Sequence, residues 1–154
     1  MEVDAFLADT AEAVQGKVYA LGIGWDTVYV QSLPAIHPRA SIGLTIRVPY
    51  TATNQMHTVK LHLEDEDGER IALGEEQADP EAEPKQVFEI GGQFNVGRPP
   101  LLPPGDDQVV CLALTINNLR FEKPALFRWV LSVDGTPLKR LPMRVQQLTQ
   151  QMVM

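Results

Sequence analysis

Four stretches of strict apolar/polar alternation constrain this chain more than any other feature. They read Ile42-x-Leu44-x-Ile46-x-Val48, Val59-x-Leu61-x-Leu63, Val110-x-Leu112-x-Leu114-x-Ile116 and Phe127-x-Trp129-x-Leu131-x-Val133. Successive side chains of a pleated strand leave on opposite faces, so a period of two gives each stretch one greasy face and one wet face. Such strands persist only where their greasy faces pack together, and turn chemistry between them favours antiparallel neighbours. The pattern predicts an all-β fold: a two-layer antiparallel β-sandwich, loosely Ig-like, of about nine or ten short strands with proline-rich loops.

A length of 154 residues suits one domain with a full core, expected over residues 1–145, with 146–154 a frayed tail. Cys111 is the single cysteine, so no internal disulfide can form and a reducing compartment is expected. Met1-Glu2-Val3-Asp4 has neither the basic nor the apolar region of a signal peptide. No run approaches the roughly 18 apolar residues of a membrane span. The cytoplasm is the expected location.

The net charge of −7 is unevenly spread. Residues 64–83 hold ten acids and one base, Arg70, which makes −9 locally and leaves +2 for the remainder. Nucleic acid is therefore not an expected partner, because phosphate affinity needs clustered Lys and Arg. An anionic membrane surface is unexpected for the same reason.

Between the four strong strands the turn residues set further expectations. Val3 to Ala8 is a strand, and Asp9 to Glu12 is either one helical turn or a tight β-connection ending at Gly16. Lys17 to Ile23 and Trp25 to Val30 are strands bent around Gly22 and Gly24. Ser32 to Pro38 is a connection or a poorly paired edge. Asp67-Gly68 predicts a type I′ hairpin turn, and Asp134-Gly135 a second turn. Glu75 to Pro84 reads as a mobile surface loop, and Gly91-Gly92 as a tight hairpin or a bulge within one strand. Arg98 to Gly105 reads as a polyproline-like crossing that ends in a turn.

Asp4-Ala5-Phe6-Leu7-Ala8-Asp9-Thr10-Ala11-Glu12, Gly16-Lys17-Val18-Tyr19-Ala20-Leu21-Gly22 and Trp25-Asp26 resemble the opening of a family of small bacterial proteins described as a domain of unknown function, many of them actinobacterial. Leu63 to Gly68, Arg98-Pro99-Pro100, Pro103-Pro104-Gly105 and Trp129 to Gly135 resemble its later pattern. The resemblance covers most of the chain up to Val145. It implies an all-β fold of single-domain length and carries no activity, cofactor or catalytic residue. The acidic insert Glu75 to Glu83 is particular to this member.

Few residues suggest chemistry. Asp65, Asp67 and Glu69 form an acidic turn with the oxygen-rich spacing that calcium favours, though without an EF-hand ligand set. Its plainer reading is a solvated hairpin tip. His57 and His62 lie an odd number of positions apart on one strand and face opposite ways, while His37 falls in a proline-bounded loop. No pair has metal-ligand spacing, and no metal or other cofactor is expected. Cys111 among apolar neighbours reads as buried and inert. Trp129, in phase with Phe127 and Leu131, reads as core. Trp25 and Tyr29 are candidates for stacking on a sugar or another small ligand.

Val109 to Ile116 is apolar on both faces, which requires a second cover, either a partner or a loop such as the proline-rich stretch. The expected function is non-catalytic: a β-sandwich acting by protein–protein interaction, as a homo-oligomer or assembly component. A small-ligand or carbohydrate-binding module is the alternative. An enzyme whose site converges from distant strands is the third reading.

Overall fold

The computed structural model of the chain describes residues 1–149. Thirteen strands follow one another: β1 (Glu2–Ala8), β2 (Thr10–Val14), β3 (Lys17–Leu21), β4 (Thr27–Val30), β5 (Ala35–Val48), β6 (Met56–Glu64) and β7 (Arg70–Ile71). They continue as β8 (Gly74–Glu76), β9 (Lys85–Val87), β10 (Ile90–Asn95), β11 (Gln108–Phe121), β12 (Ala125–Val133) and β13 (Thr136–Gln147). The one helical element described is a 3-10 turn, Tyr50–Ala52.

Two sheets form the sandwich. One is three-stranded, in the order β1-β5-β11, and the other runs β10-β6-β12-β13-β4, with β7 beside β6. The four alternating stretches supply β5, β6, β11 and β12, and their greasy faces meet as expected. Ala40, Ile42, Leu44, Ile46 and Val48 of β5 are fully buried in one cluster with Val59, Leu61 and Leu63 of β6 and Phe127, Trp129, Leu131 and Val133 of β12. Trp129 is core, and its indole N–H donates to Met143 Sδ at 3.4 Å, which partners its one polar atom without opening the core.

Among the described residues the pairing is antiparallel with one exception: β4 runs parallel to β13, Val28 level with Val145. A parallel pair needs a long connection, and β4 and β13 are separated by most of the chain. The expectation of a frayed tail from residue 146 is corrected by this contact. Gln146 and Gln147 pair with Tyr29 and Val30, and the Leu148 N–H donates to the Val30 carbonyl at 2.8 Å. The remainder of the expected tail, 150–154, lies outside the described residues.

Other local expectations are resolved or corrected by the pairing. Of the two alternatives, Ser32 to Pro38 is in part the poorly paired edge, because β5 begins at Ala35 and carries His37 opposite Leu119, with β11 as its one partner there among the described residues. Pro38 fits there because β1 pairs only with Ser41 to Arg47, so a missing N–H costs no ladder bond on that side. Asp9 to Glu12 forms no helical turn; Thr10 starts β2, which turns back into β3 through Gln15 and Gly16, both at positive φ, a pairing suited to a two-residue hairpin. The Asp67-Gly68 turn is not type I′. Only Gly68 has positive φ, and the Gly68 N–H closes back on the Asp65 carbonyl, as in a type I turn followed by a left-handed residue.

The acidic stretch is likewise more ordered than a loop: β8 and β9 pair, Glu75 opposite Gln86, and residues 77–84 form the tip. Ile90 to Asn95 is one strand, and Gly91 is required where its Cβ would fall on the Val59 carbonyl. The proline-rich crossing carries the chain from β10 in one sheet to β11 in the other. It folds into two turns, with Leu102 N–H to the Pro99 carbonyl and Asp106 N–H to the Pro103 carbonyl. Arg98 anchors it, lying 4.1 Å over the Tyr50 ring and donating to the Tyr50 carbonyl and the Thr53 hydroxyl.

Candidate functional site

Within the chain, the cover on the second face of β11 is not the proline-rich stretch but the β2–β3 hairpin, which packs across the outer face of β5 and β11. Its underside is small: Ala11 is buried, and Val18 and Ala20 are half-buried. Gly43 of β5 completes the fit, since a Cβ there would collide with the Phe6 ring and stand 2.9 Å from Val18 Cγ1. Small residues and a glycine let the two layers approach closely.

The register then sends the large residues outward. Thr10 faces Leu21 and Glu12 faces Tyr19 across the hairpin. Tyr19 and Ile23 are exposed, and Leu21 is 72% exposed. An open groove of about 330 Å³ lies among Thr10, Glu12, Tyr19, Ala20 and Leu21. The normal order is inverted here, with alanines inside and bulky apolar groups in solvent. Sequence reasoning missed this surface, although the contrast of Ala11, Val18 and Ala20 with Tyr19, Leu21 and Ile23 was a usable signal.

The segment after the hairpin is tied back to Asp9, which precedes the hairpin. Gly22 has positive φ, and a Cβ there would come within 2.8 Å of Asp9 Cβ. Asp9 N–H donates to the Leu21 and Gly22 carbonyls. Trp25 lies half-buried against the core, its ring 5.6 Å from that of His37. The Trp25 Nε1 and the His37 Nε2 are buried without a partner among the described residues. Burial pulls the His37 pKa below the ordinary histidine value, against the Arg39 backbone and the Asp9 charge. Tyr29, the other stacking candidate, is exposed on β4 and alternates away from buried Val28. The structure does not join Trp25 and Tyr29 into one platform.

Asp65, Asp67 and Glu69 come together, but as a self-contained turn. Asp65 Oδ1 accepts the Asp67 and Glu69 N–H groups at 3.0 Å, and Oδ2 accepts the Lys123 ammonium at 3.1 Å. Lys123, then the Glu69 and Asp67 amides, hold the Asp65 carboxyl below the usual range against its burial. The acid therefore already has a cation. Among the described residues, no group of three or more His, Cys, Asp or Glu is placed to hold a metal ion.

His57 and His62 do face opposite ways. His62 bonds to Glu64 on the outer face at 3.0 Å. His57 is buried in phase with Val59 and Leu61, its Nδ1 2.7 Å from Asp134 Oδ2 and its Nε2 2.7 Å from the Ala52 carbonyl. Two acceptors on two ring nitrogens suit the doubly protonated imidazolium. Burial pulls the His57 pKa down, but the Ala52 carbonyl and the Asp134 carboxylate outweigh it, and it stands above 6.5. Sequence reasoning missed this pair because 77 positions separate its members; a histidine in phase with a greasy strand face was the available signal. Cys111 is half-buried on the outer face of β11, not buried, because the hairpin covers that edge strand incompletely.

The chain belongs to a family of unknown function, DUF6941, which matches it over residues 3–146. No curated protein matches the sequence. Among solved structures it is similar to the Pseudomonas fluorescens alkylpurine DNA glycosylase AlkC bound to DNA containing an abasic site analog, at 12% identity and a TM-score of 0.39 over 79% of this chain. It is also similar to a family 123 glycoside hydrolase from Clostridium perfringens, at 15% identity and a TM-score of 0.36 over 96% of this chain. The chain spans 28% of the length of each, and at such values neither likeness carries an argument. No helix among the described residues is long and apolar enough to cross a membrane.

Proposed function

We propose that the protein acts by binding another protein, with the outward face of the β2–β3 hairpin as its contact surface. One observation carries the reading: Tyr19 and Leu21 are held in solvent by a hairpin whose small underside is packed on the sheet, and Ile23, just after the hairpin, is exposed too. Aromatic and aliphatic groups on a rigid support, rimmed by Glu12 and Lys17, match the anatomy of an interface core and its rim. The reading is non-catalytic, supported by the engagement of His57, Asp134, Asp65 and Lys123 in holding turns. It places the protein in a reducing cytoplasm, supported by the free thiol of Cys111. Recovery from native extract followed by mass spectrometry tests it. Proteins retained by the natural chain are expected to be lost with Leu21→Asp, a change at an exposed position. Retention of the same set by both sinks the reading.

A second reading, a small-ligand or carbohydrate module, is favoured by the unpartnered Trp25 and His37 nitrogens. The indole N–H and an imidazole nitrogen, on rings 5.6 Å apart, suit one polar ligand group or a bridging water. A glycan array, with Trp25→Phe as control, separates it from the first: binding that survives the loss of the indole N–H defeats it.

A further inference from the structure

We propose that the free edge of β11, from Val109 to Thr115, pairs antiparallel with the same edge of a second copy of the chain. This surface and this occupant differ from the hairpin contact. β11 ends the three-stranded sheet, whose other edge, β1, runs alongside β13. The later part of β11, near Asn117 and Arg120, is flanked by β8 and β9. Between Val109 and Thr115 no described residue pairs with the far side of the strand; only the side chain of Gln108, just before it, reaches across, to the Gly97 carbonyl.

Burial shows what is missing. Ile46, Leu44 and Ile42 of β5 are fully buried, with a strand on either side. Their direct partners on β11, Val110, Leu112 and Leu114, belong to the same layer and are only half-buried. Val109 is 50% exposed, and Cys111 and Ala113 are incompletely covered. One more strand beyond β11 would cover them all. Solitary edges are normally guarded by charge, proline or a bulge. From Gln108 to Leu119 there is no charged residue and no proline, and the register with β5 is unbroken from Gln108 to Asn117.

The edge is complementary to itself. A two-fold axis at Leu112 sets Val110 opposite Leu114 of the copy and Cys111 opposite Ala113, so the greasy faces of both sheets stay aligned. Asp107, before the strand, then comes level with Asn117 of the copy, whose neighbour on β5 is Arg39. Asp107 and Arg39 are exposed, and neither has an ion-pair partner among the described residues. The pairing would join two three-stranded sheets into one continuous sheet.

Sedimentation velocity across a concentration series, with amide exchange at both ends of the series, tests the proposal. The natural chain is expected to dimerise, and amides within Val109 to Thr115 to exchange more slowly in the dimer. Val109→Lys, at an exposed position, is expected to weaken the dimer by about tenfold or more; Leu21→Asp is expected to leave it intact. A chain that stays monomeric, a dimer without added protection on β11, one as tight with Val109→Lys, or one lost with Leu21→Asp would each overturn it.

Discussion

Two turns of this molecule use the same chemistry the opposite way round. At Asp65 the acid is buried, 2% exposed, and Lys123 reaches in from solvent. At Asp134 the acid is half exposed and the cation, His57, is buried. Each carboxylate also accepts backbone N–H groups: Asp67 and Glu69 for Asp65, and Thr58 for Asp134. The difference lies in what each exposed partner leaves behind when it is removed. Without Lys123, Asp65 keeps two amide donors in a turn of its own making. Without Asp134, His57 sits in the core with one acceptor for two nitrogens.

The strongest way to break the comparison is Asp134→Ala. It should cost about 1–3 kcal/mol, the range for stranding a buried polar group. A urea midpoint unchanged from the natural chain would show that His57 does not depend on Asp134.

The pH dependence of that midpoint sharpens the comparison next. The His57 pKa is raised above 6.5, so its contribution is full below about pH 6.5 and is lost as pH rises through the folded-state value. The Asp134 pKa is lowered below 3.8, first by the Thr58 N–H and then by His57. Its contribution is present above about pH 3.8 and is lost as pH falls through the lower folded-state value. Stability should therefore decline as pH rises above about 6.5. His57→Gln should flatten that decline, and an unchanged slope in the variant would assign it to another group.

A smaller effect is expected at the other turn. Asp65→Asn keeps an oxygen for the Asp67 and Glu69 amides and loses only the charge facing Lys123. It should destabilise less than Asp65→Ala, and amide exchange at Asp67 and Glu69 should quicken in the alanine variant alone. The smallest effect belongs to Lys123→Met. The melting temperature should barely move, while carbon-detected NMR should find the Asp65 carboxyl shifted up towards its ordinary value. A large fall in stability would mean that the exposed ammonium, and not the turn amides, holds Asp65.

How much of this was legible in the sequence depends on distance along the chain. The period of two in β5, β6, β11 and β12 was readable because each strand states its own buried face. The turns at Asp134-Gly135 and Gln15-Gly16 need only neighbouring residues, and the first was expected. The β8–β9 pairing was hidden under acidic composition, which suits a loop and a solvent-facing hairpin equally. The start of the tail, Gln146 to Leu148, was misjudged because its partner, β4, lies far back in the chain.

The candidate site was less legible than the fold. Trp25 and Tyr29 look like a pair in sequence, yet one packs inward on His37 and the other points to solvent. Tyr19 and Leu21 read as ordinary strand residues until Gly43 and the alanines of the hairpin settle which face lies down.

By itself the sequence determined that this is an all-β chain, which side of each long strand is greasy, and that one acidic region carries the charge. Those properties are local: they follow from the alternation of side chains and the charge of each residue. Only the tertiary structure decided that a hairpin covers β5 and β11, that His57 meets Asp134, and that Tyr19, Leu21 and the β11 edge are left uncovered. Exposure is what remains after every distant segment has taken its place, so no window of sequence contains it.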